Sequence, residues 1–550
     1  MPKVPVLIAC ATLLAAVPRP AAPQAKAATT QAQAKPPATP WLRGATCYEI
    51  FVRSFRDSDG DGIGDLRGLT NSLDYINDGD PRSTTSLGAR CIWLTPVTPS
   101  PSYHGYDATD HYHVAPAYGT NDDFRRLVAE AHKRGIRVLV DMVLNHVSSQ
   151  HPWFQAALRD TTSPYRKFFR FSPTPGPLNR WGGDNWHKSP LRDEYYYGFF
   201  WQGMPDLNYE EPLALAEMKK VATFWLREMG ADGLRLDAVK FLVEDGAKVD
   251  DTPGTHRVLR DYAAHVRGVK PDAFTIGEVF DSTGALLAYY PDQLDGYFAF
   301  EVADSLIAAA RRGDARGVLA PVLRLQAKVG GYRWSPFLRN HDQPRTRSEL
   351  GGDWGKARAA SFLLLTMPGL PFVYYGEELG MTGVKPDEWL RTPMPWSLAG
   401  PHAGFTTGTP WEHLAPDSLE ANVETQRDDP NSLLALHRRL IHLRSSNAAL
   451  AAGTLVPLAA NDSSVVAFIR RDRENAVLVV ANLGAAAANA VRIRADVAPL
   501  PAGRYTARAL YGNAAPFAVT VNAAGRLQAP ITLTVAPHEG LIFDLARTPR

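Results

Sequence analysis

From about residue 45 to residue 447, short apolar runs alternate with longer stretches of helical periodicity, the pattern of an α/β protein built on a parallel sheet. The runs are residues 48–55, 91–96, 138–143, 233–236, 274–277, 296–300, 337–338 and 371–375. Eight such units predict a (β/α)8 TIM barrel. The helix after the second run is legible from Asn121-Asp122-Asp123-Phe124 through His132, and Gly135 is its stop. Residues 147–210 interrupt the alternation with a segment dense in aromatics, including Trp153, Phe168, Trp181, Trp186, Tyr195 to Tyr197 and Trp201. A long excursion at the C-terminal end of a barrel strand is usually functional. After a helix over residues 433–443, the texture changes to strand-like runs such as 465–469, 476–480, 531–535 and 541–543. This predicts a barrel over 45–146 and 211–447, an inserted domain over 147–210, and a C-terminal β-sandwich over 452–550 that covers barrel surface.

The N-terminus reads differently. Lys3 precedes an apolar run from Val4 to Val17, and Pro/Ala-rich sequence follows, the order of a signal peptide over 1–27 with a flexible linker over 28–44. The run is too short to span a bilayer, and no second apolar span occurs, so the mature chain is expected to be secreted or periplasmic with no membrane span. Leu7-Ile8-Ala9-Cys10 resembles a lipoprotein cleavage box but sits too early in the apolar run. Cys47 and Cys91 each stand near the start of a strand-like run, either as a disulfide pair in an oxidising compartment or as two buried thiols.

Composition narrows the partners. With 59 Lys+Arg against 57 Asp+Glu, the net charge of +2 supplies no field for a phosphate backbone, so nucleic acid is not an expected partner. The 12 Trp, 20 Tyr and 22 Phe permit stacking on sugar faces without requiring it. The chain is expected to act as a monomer.

Strand C-termini converge on one rim of a barrel, so the polar residues that close the apolar runs carry the candidate chemistry. The third run contains Asp141 and closes on Asn145-His146, the fourth is Gly233-Leu234-Arg235-Leu236-Asp237, the fifth ends in Gly277-Glu278, and the seventh leads into Asn340-His341-Asp342. One Asp at a strand end is commonly a helix cap. Four carboxylates on one rim, with an Arg and His residues beside them, suit cleavage of a glycosidic bond, in which one carboxylate attacks and one carboxylic acid protonates the leaving oxygen. Arg235 and Asp237, two apart on a strand, point to the same face.

These strings resemble the α-amylase family of glycoside hydrolases, from about Tyr48 onward. Residues 141–146 (DMVLNH), 233–240 (GLRLDAVK), 277–279 (GEV) and 340–342 (NHD) are similar to its four shared regions, in order. The resemblance implies a (β/α)8 barrel with an inserted domain and a C-terminal sandwich. It implies a retaining mechanism with Asp237 as nucleophile, Glu278 as acid/base and Asp342 as transition-state stabiliser. Arg235 would orient Asp237, His146 and His341 would bond the reacting sugar, and Tyr106 in Tyr103-His104-Gly105-Tyr106-Asp107 would be its stacking platform. Lys240 would contact substrate on the leaving-group side, and Arg345, three residues past Asp342, joins the substrate-binding candidates. Phe241 departs from the Lys-His pair of many α-amylases. Residues 204–208 (MPDLN) resemble a fifth region in a form intermediate between the oligo-1,6-glucosidase and neopullulanase types.

Two metal sites are expected, both for structural calcium. Asp57-Ser58-Asp59-Gly60-Asp61-Gly62-Ile63-Gly64-Asp65 offers carboxylates at positions 1, 3, 5 and 9 and the Ile63 carbonyl at 7, a spacing that wraps oxygens around a hard cation, or else forms an Asx-rich turn. The resemblance implies a second site at Asn145 and Asp206. The expected activity is hydrolysis of internal α-1,4 bonds in starch and maltodextrins. An exo-acting α-glucosidase or a transglycosylase is the alternative, and a non-catalytic sugar-binding relative would have to retain all three carboxylates without using them.

Overall fold

The computed structural model describes residues 39–548. The expected signal peptide and residues 28–38 of the linker lie outside them. Eight parallel strands make the barrel: β1 (Cys47–Ile50), β2 (Cys91–Leu94), β3 (Arg137–Val143), β4 (Gly233–Asp237), β5 (Phe274–Gly277), β6 (Gly296–Phe298), β7 (Trp334–Ser335) and β8 (Phe372–Tyr374). Their order is β7-β6-β5-β4-β3-β2-β1-β8.

The alternation of strand side chains builds the site. Cys47, Cys91, Trp93, Leu139, Ile276, Phe298 and Phe372 share one buried apolar cluster. Two residues further along their strands, the same inward face presents Glu49 after Cys47, Asp141 after Leu139 and Glu278 after Ile276. An apolar plug is thus succeeded by a charged layer at the C-terminal end. Within the plug, Cys47 and Cys91 are register partners on β1 and β2 and form a disulfide, which decides between the two readings of these cysteines.

Four strands, β1, β2, β6 and β8, are shorter than the apolar runs suggest, and one is displaced. After Ile50 the chain turns into a 3-10 turn over Val52–Ser54, and Phe300 opens the helix Phe300–Arg312 instead of extending β6. The seventh strand is Trp334–Ser335, not residues 337–338. Pro336 has no N–H and breaks the ladder there, while Phe337 packs into the apolar plug.

The insertion carries a small antiparallel sheet of Phe171–Ser172, Tyr195–Tyr197 and Trp186–Lys188. A bridge between His146 and Asp206 ties its two ends together beside β3. The C-terminal region adds eight antiparallel strands: β9 (Thr454–Ala460), β10 (Val465–Arg471), β11 (Ala476–Asn482), β12 (Ala488–Arg494), β13 (Gly503–Tyr511), β14 (Phe517–Val521), β15 (Ile531–Val535) and β16 (Gly540–Arg547). They pair in the order β14-β13-β16-β11-β10-β9-β12-β15 around their own apolar core. The helix Trp354–Thr366 of the barrel packs beneath this sheet. Two fully buried guanidiniums seal that contact, since Arg444 donates to the carbonyls of Leu365 and Met367 and Arg470 to that of Thr366. Cationic groups suit the negative end of a helix dipole, which explains two buried arginines without a carboxylate partner. No helix among the described residues is long and apolar enough to cross a membrane.

Candidate active site

Arg235 is fully buried at the centre of the charged layer, above the ring of Trp93. Its Nη1 donates to Asp141 Oδ1 at 2.9 Å and to Asp237 Oδ1 at 2.6 Å, and its Nη2 donates to Glu278 Oε2 at 2.5 Å. One guanidinium therefore bridges three carboxylates from β3, β4 and the end of β5. Burial raises the carboxyl of Glu278 to about 7; Arg235 opposes this, and the charges of Asp237 and Asp342 add to it. Burial also raises Asp237, to about 6, with Arg235 again opposing. Both carboxyls share one guanidinium, so their protonation is set together. Ala238, directly after Asp237, holds a left-handed backbone conformation (φ 47°) that turns the chain sharply off the strand.

A second chain of contacts runs across the floor. Glu49 and His341 Nδ1 lie 2.6 Å apart, His341 Nε2 and the Tyr106 hydroxyl 2.7 Å apart, and that hydroxyl donates to Asp141 Oδ2 at 3.1 Å. Burial pushes the Glu49 carboxyl well up and His341 down to about 3, so it disfavours the charged form of each. Tyr106 stacks on His341 with 8° between the planes and 5.3 Å between centroids. His146 faces the backbone carbonyl of Tyr106 at 3.2 Å. Asp342 accepts from Arg391 Nη2 at 2.8 Å, while Arg391 Nε donates to the His341 carbonyl. Burial alone would raise the Asp342 carboxyl, but His341 and then Arg391 beside it oppose burial and hold it below the usual range.

These groups open into a cleft of about 660 Å³, whose walls include Tyr106, His146, Asp237, Glu278 and Asp342. Of two further expected residues, one lines the cleft and one does not. Lys240 lines the cleft as expected, and its ammonium also pairs with Asp281 at 2.6 Å and stands 3.5 Å from Asp250. Arg345 is not at the cleft: it lies buried behind β8, donates to the Tyr375 carbonyl and stacks on Tyr374 and Tyr375. The residue that reaches Asp342 is Arg391, in the loop after β8, which no strand-end pattern marks. Glu49 was also unmarked, although its place two residues after Cys47 on β1 puts it on the inward face.

Asp57, Asp59 and Asp61 bring carboxylate oxygens within 4.8 Å of one another. The loop turns at Gly62 (φ +92°), where a Cβ would stand 1.8 Å from the Thr409 carbonyl oxygen, so only glycine fits. An all-oxygen set on a tight loop fits a hard cation, with the Ile63 carbonyl adjacent. Asp65 departs from the expected ligand set. It caps the helix Leu66–Asn71 by accepting from Gly68 N–H, and it also accepts from the backbone N–H and hydroxyl of Ser58. At the junction with the insertion, Asn145 Oδ1 and Asp206 Oδ2 are both buried without a hydrogen-bond partner, and burial pushes the Asp206 carboxyl well up. Two orphaned buried oxygens fit a cation there.

Comparison with known proteins agrees with this geometry. A family profile described as alpha amylase, catalytic domain, matches residues 49–453. Alpha-amylase 3 of Dictyoglomus thermophilum is 36% identical over 451 residues, covering 81% of this chain and 85% of its own. The oligo-1,6-glucosidase of Parageobacillus thermoglucosidasius is 31% identical over 518 residues, covering 80% and 90%. The crystal structure of an alpha-amylase from H. orenii superposes with a TM-score of 0.76 at 36% identity, covering 91% of this chain and 99% of that one. The chain belongs to the α-amylase family of glycoside hydrolases.

Proposed function

We propose that the chain is an exported, retaining α-glucan hydrolase that cuts internal α-1,4 bonds of starch and maltooligosaccharides as a monomer. The observation that carries this reading is the single guanidinium of Arg235 shared by Asp237 and Glu278. Two carboxyls held by neighbouring nitrogens of one guanidinium stand beside one another, the arrangement a retaining pair needs. Asp237 attacks the anomeric carbon while Glu278, holding its proton near neutral pH, gives it to the leaving oxygen. The C1–O bond to the leaving chain breaks and a glycosyl ester forms on Asp237. Glu278, now a carboxylate, takes the proton of the incoming water as that water displaces Asp237. Asp342, fixed by Arg391, accepts from the sugar hydroxyls, and Tyr106 supplies the ring face under the reacting sugar.

Endo action is supported by exposed rings beyond the catalytic groups, Phe200, Trp201 and Trp181, which offer stacking to a chain that continues past the cut. Export is supported by the disulfide, since such bonds persist in oxidising compartments. Calcium would be held by Asp57, Asp59 and Asp61, and by Asn145 and Asp206, where it would brace loops by neutralising clustered oxygens. Glu278→Gln should abolish nearly all hydrolysis, and unchanged activity would remove Glu278 from the mechanism. A mixture of maltooligosaccharides from starch is the expected product. An exo-acting glucosidase is favoured by the likeness to the oligo-1,6-glucosidase and by the charged group of Asp342, Asp387 and Arg391 at one end of the cleft. Glucose alone, released from chain ends, would establish that reading instead.

A further inference from the structure

We infer that Glu49 is a positioning residue for the reaction: by holding the His341 imidazole in one orientation, it places Tyr106 and Asp342 for the reacting sugar. This rests on the hydrolase reading above.

Glu49 sits on the inward face of β1, two residues after Cys47, and is 2% exposed. A carboxyl is costly to bury, and this one neither attacks the sugar nor protonates the leaving group. Its Oε1 stands 2.6 Å from His341 Nδ1, which has no other hydrogen-bond partner among the described residues. At the opposite edge of the ring, His341 Nε2 stands 2.7 Å from the Tyr106 hydroxyl and 3.3 Å from Asp342 Oδ2. One imidazole therefore joins Glu49 to both groups that meet the sugar.

Packing alone leaves the ring undecided. Tyr106 stacks on His341 with 8° between the planes and Trp93 meets it edge-on at 5.7 Å, which fixes the plane of the imidazole. A ring turned by about 180° at χ2 has nearly the same shape and keeps both contacts, but it points carbon atoms at Glu49, Tyr106 and Asp342. The Tyr106 hydroxyl has a second partner in Asp141 Oδ2 and Asp342 has one in Arg391, so neither depends on the imidazole for its own hydrogen bond. Glu49 bonds no other side chain among the described residues, and it is the group that selects the orientation.

The consequence falls on the rate. Hydrogen bonds to the hydroxyls of the reacting sugar strengthen as its ring distorts toward the transition state. A turned imidazole withdraws Nε2 from Asp342 and from Tyr106, so interactions made in the transition state weaken more than those made in the ground state, and kcat falls further than KM rises.

The test is a double-mutant cycle between Glu49 and His341, read as kcat and KM for maltotriose in the full-length enzyme, with folding of each variant checked by thermal unfolding. Glu49→Met keeps the length of the side chain without its hydrogen bond, and should lower kcat about tenfold while KM stays within about twofold. Glu49→Gln, whose amide can serve Nδ1 as donor or acceptor, should return kcat to within about twofold of the wild type. In a His341→Phe background, Glu49→Met should lower kcat no further. An equal loss in that background, or undiminished kcat in folded Glu49→Met, would overturn the inference. Glu49→Asp, which withdraws the carboxyl by one methylene and keeps its charge, takes the place of Glu49→Met if the latter does not fold. Should neither fold while Glu49→Gln does, the role of Glu49 is architectural and the inference is overturned too. If the wild type cleaves no maltotriose, the hydrolase reading fails and this inference falls with it.

Discussion

Arg235 donates to Glu278 Oε2 at 2.5 Å from the nitrogen next to the one that serves Asp237. A cation placed against the acid would strip its proton if burial did not outweigh it, and burial does, lifting Glu278 to about 7 and Asp237 to about 6. In the proposed mechanism Asp237 works as a carboxylate, so activity should be lost as pH falls through about 6, and Glu278 works as an acid, so activity should be lost as pH rises through about 7. The plot of kcat/KM against pH should be a narrow bell centred between these values, falling about tenfold per pH unit well outside them. Because the two groups interact, the two apparent values belong to the pair. A rate that stays flat to strongly alkaline pH would contradict the role of Glu278.

Arg391 is the only cation seen bonding Asp342 among the described residues, and its Nε also fixes the His341 carbonyl. Arg391→Met should leave Asp342 partly neutral and free to rotate. A charge-assisted hydrogen bond is worth about 1.5–3 kcal/mol, which corresponds to a loss in kcat/KM of roughly ten- to 200-fold. Steady-state kinetics on maltotriose measures it, and Arg345→Met is the contrast, because Arg345 touches no group of the cleft and should change stability more than rate.

The strand-end carboxylates were legible because they follow apolar strands whose period of two carries one face into the barrel. Arg391 was not, because it sits in the long loop after β8, where no periodicity says which side chain turns back toward Asp342. Arg345 illustrates the converse: nearness in sequence to Asp342 did not bring it to the cleft, since the chain there enters the helix Thr346–Glu349 and turns its guanidinium toward Tyr374 and Tyr375. The two-residue strand β7 was misplaced because Trp334-Ser335-Pro336-Phe337-Leu338 is apolar on both sides of its proline, and only the missing N–H of Pro336 sets the boundary. Asp65 has a metal-ligand spacing and a helix-cap position at once, and the cap prevails because the helix needs its first donors satisfied.

The disulfide closes a loop of 44 residues between β1 and β2 in the plug beneath the charged layer. Chain-entropy reasoning assigns a loop of this size about 4 kcal/mol. Replacing both cysteines by alanine should lower the unfolding midpoint accordingly while leaving the contacts of Arg235 in place, so kcat at low temperature should change little. Denaturant unfolding with and without the pair checks this, and an unaltered midpoint would mean that the two thiols are not joined.

Calcium should raise the thermal midpoint of the full-length protein. Saturation at one hundred times the dissociation constant stabilises by about 2.7 kcal/mol per site. Asp59→Asn with Asp61→Asn should remove the contribution of the exposed loop and leave that of Asn145 and Asp206. Calorimetry in chelator and in added calcium reads both, and a midpoint indifferent to calcium in the wild type would rule out both sites.

Lys240 joins three loops: its ammonium stands 2.6 Å from Asp281 after β5 and 3.5 Å from Asp250, which in turn accepts from Arg180 of the insertion at 2.6 Å. Asp250 is fully buried with Oδ1 unpartnered, so removing Lys240 leaves this interior charge dependent on Arg180. Stripping a buried carboxylate of its pairing costs about 3–5 kcal/mol and losing one of two cations costs less, whereas a partly exposed partner such as Asp281 is worth about 1 kcal/mol. Lys240→Met should therefore destabilise the protein more than Asp281→Asn, and Lys240→Arg should recover most of the difference. Urea unfolding of the three variants decides it. Equal losses for Lys240→Met and Asp281→Asn would mean that Asp281 alone is the working partner, and that the insertion is not held to the acid-bearing loop through this lysine.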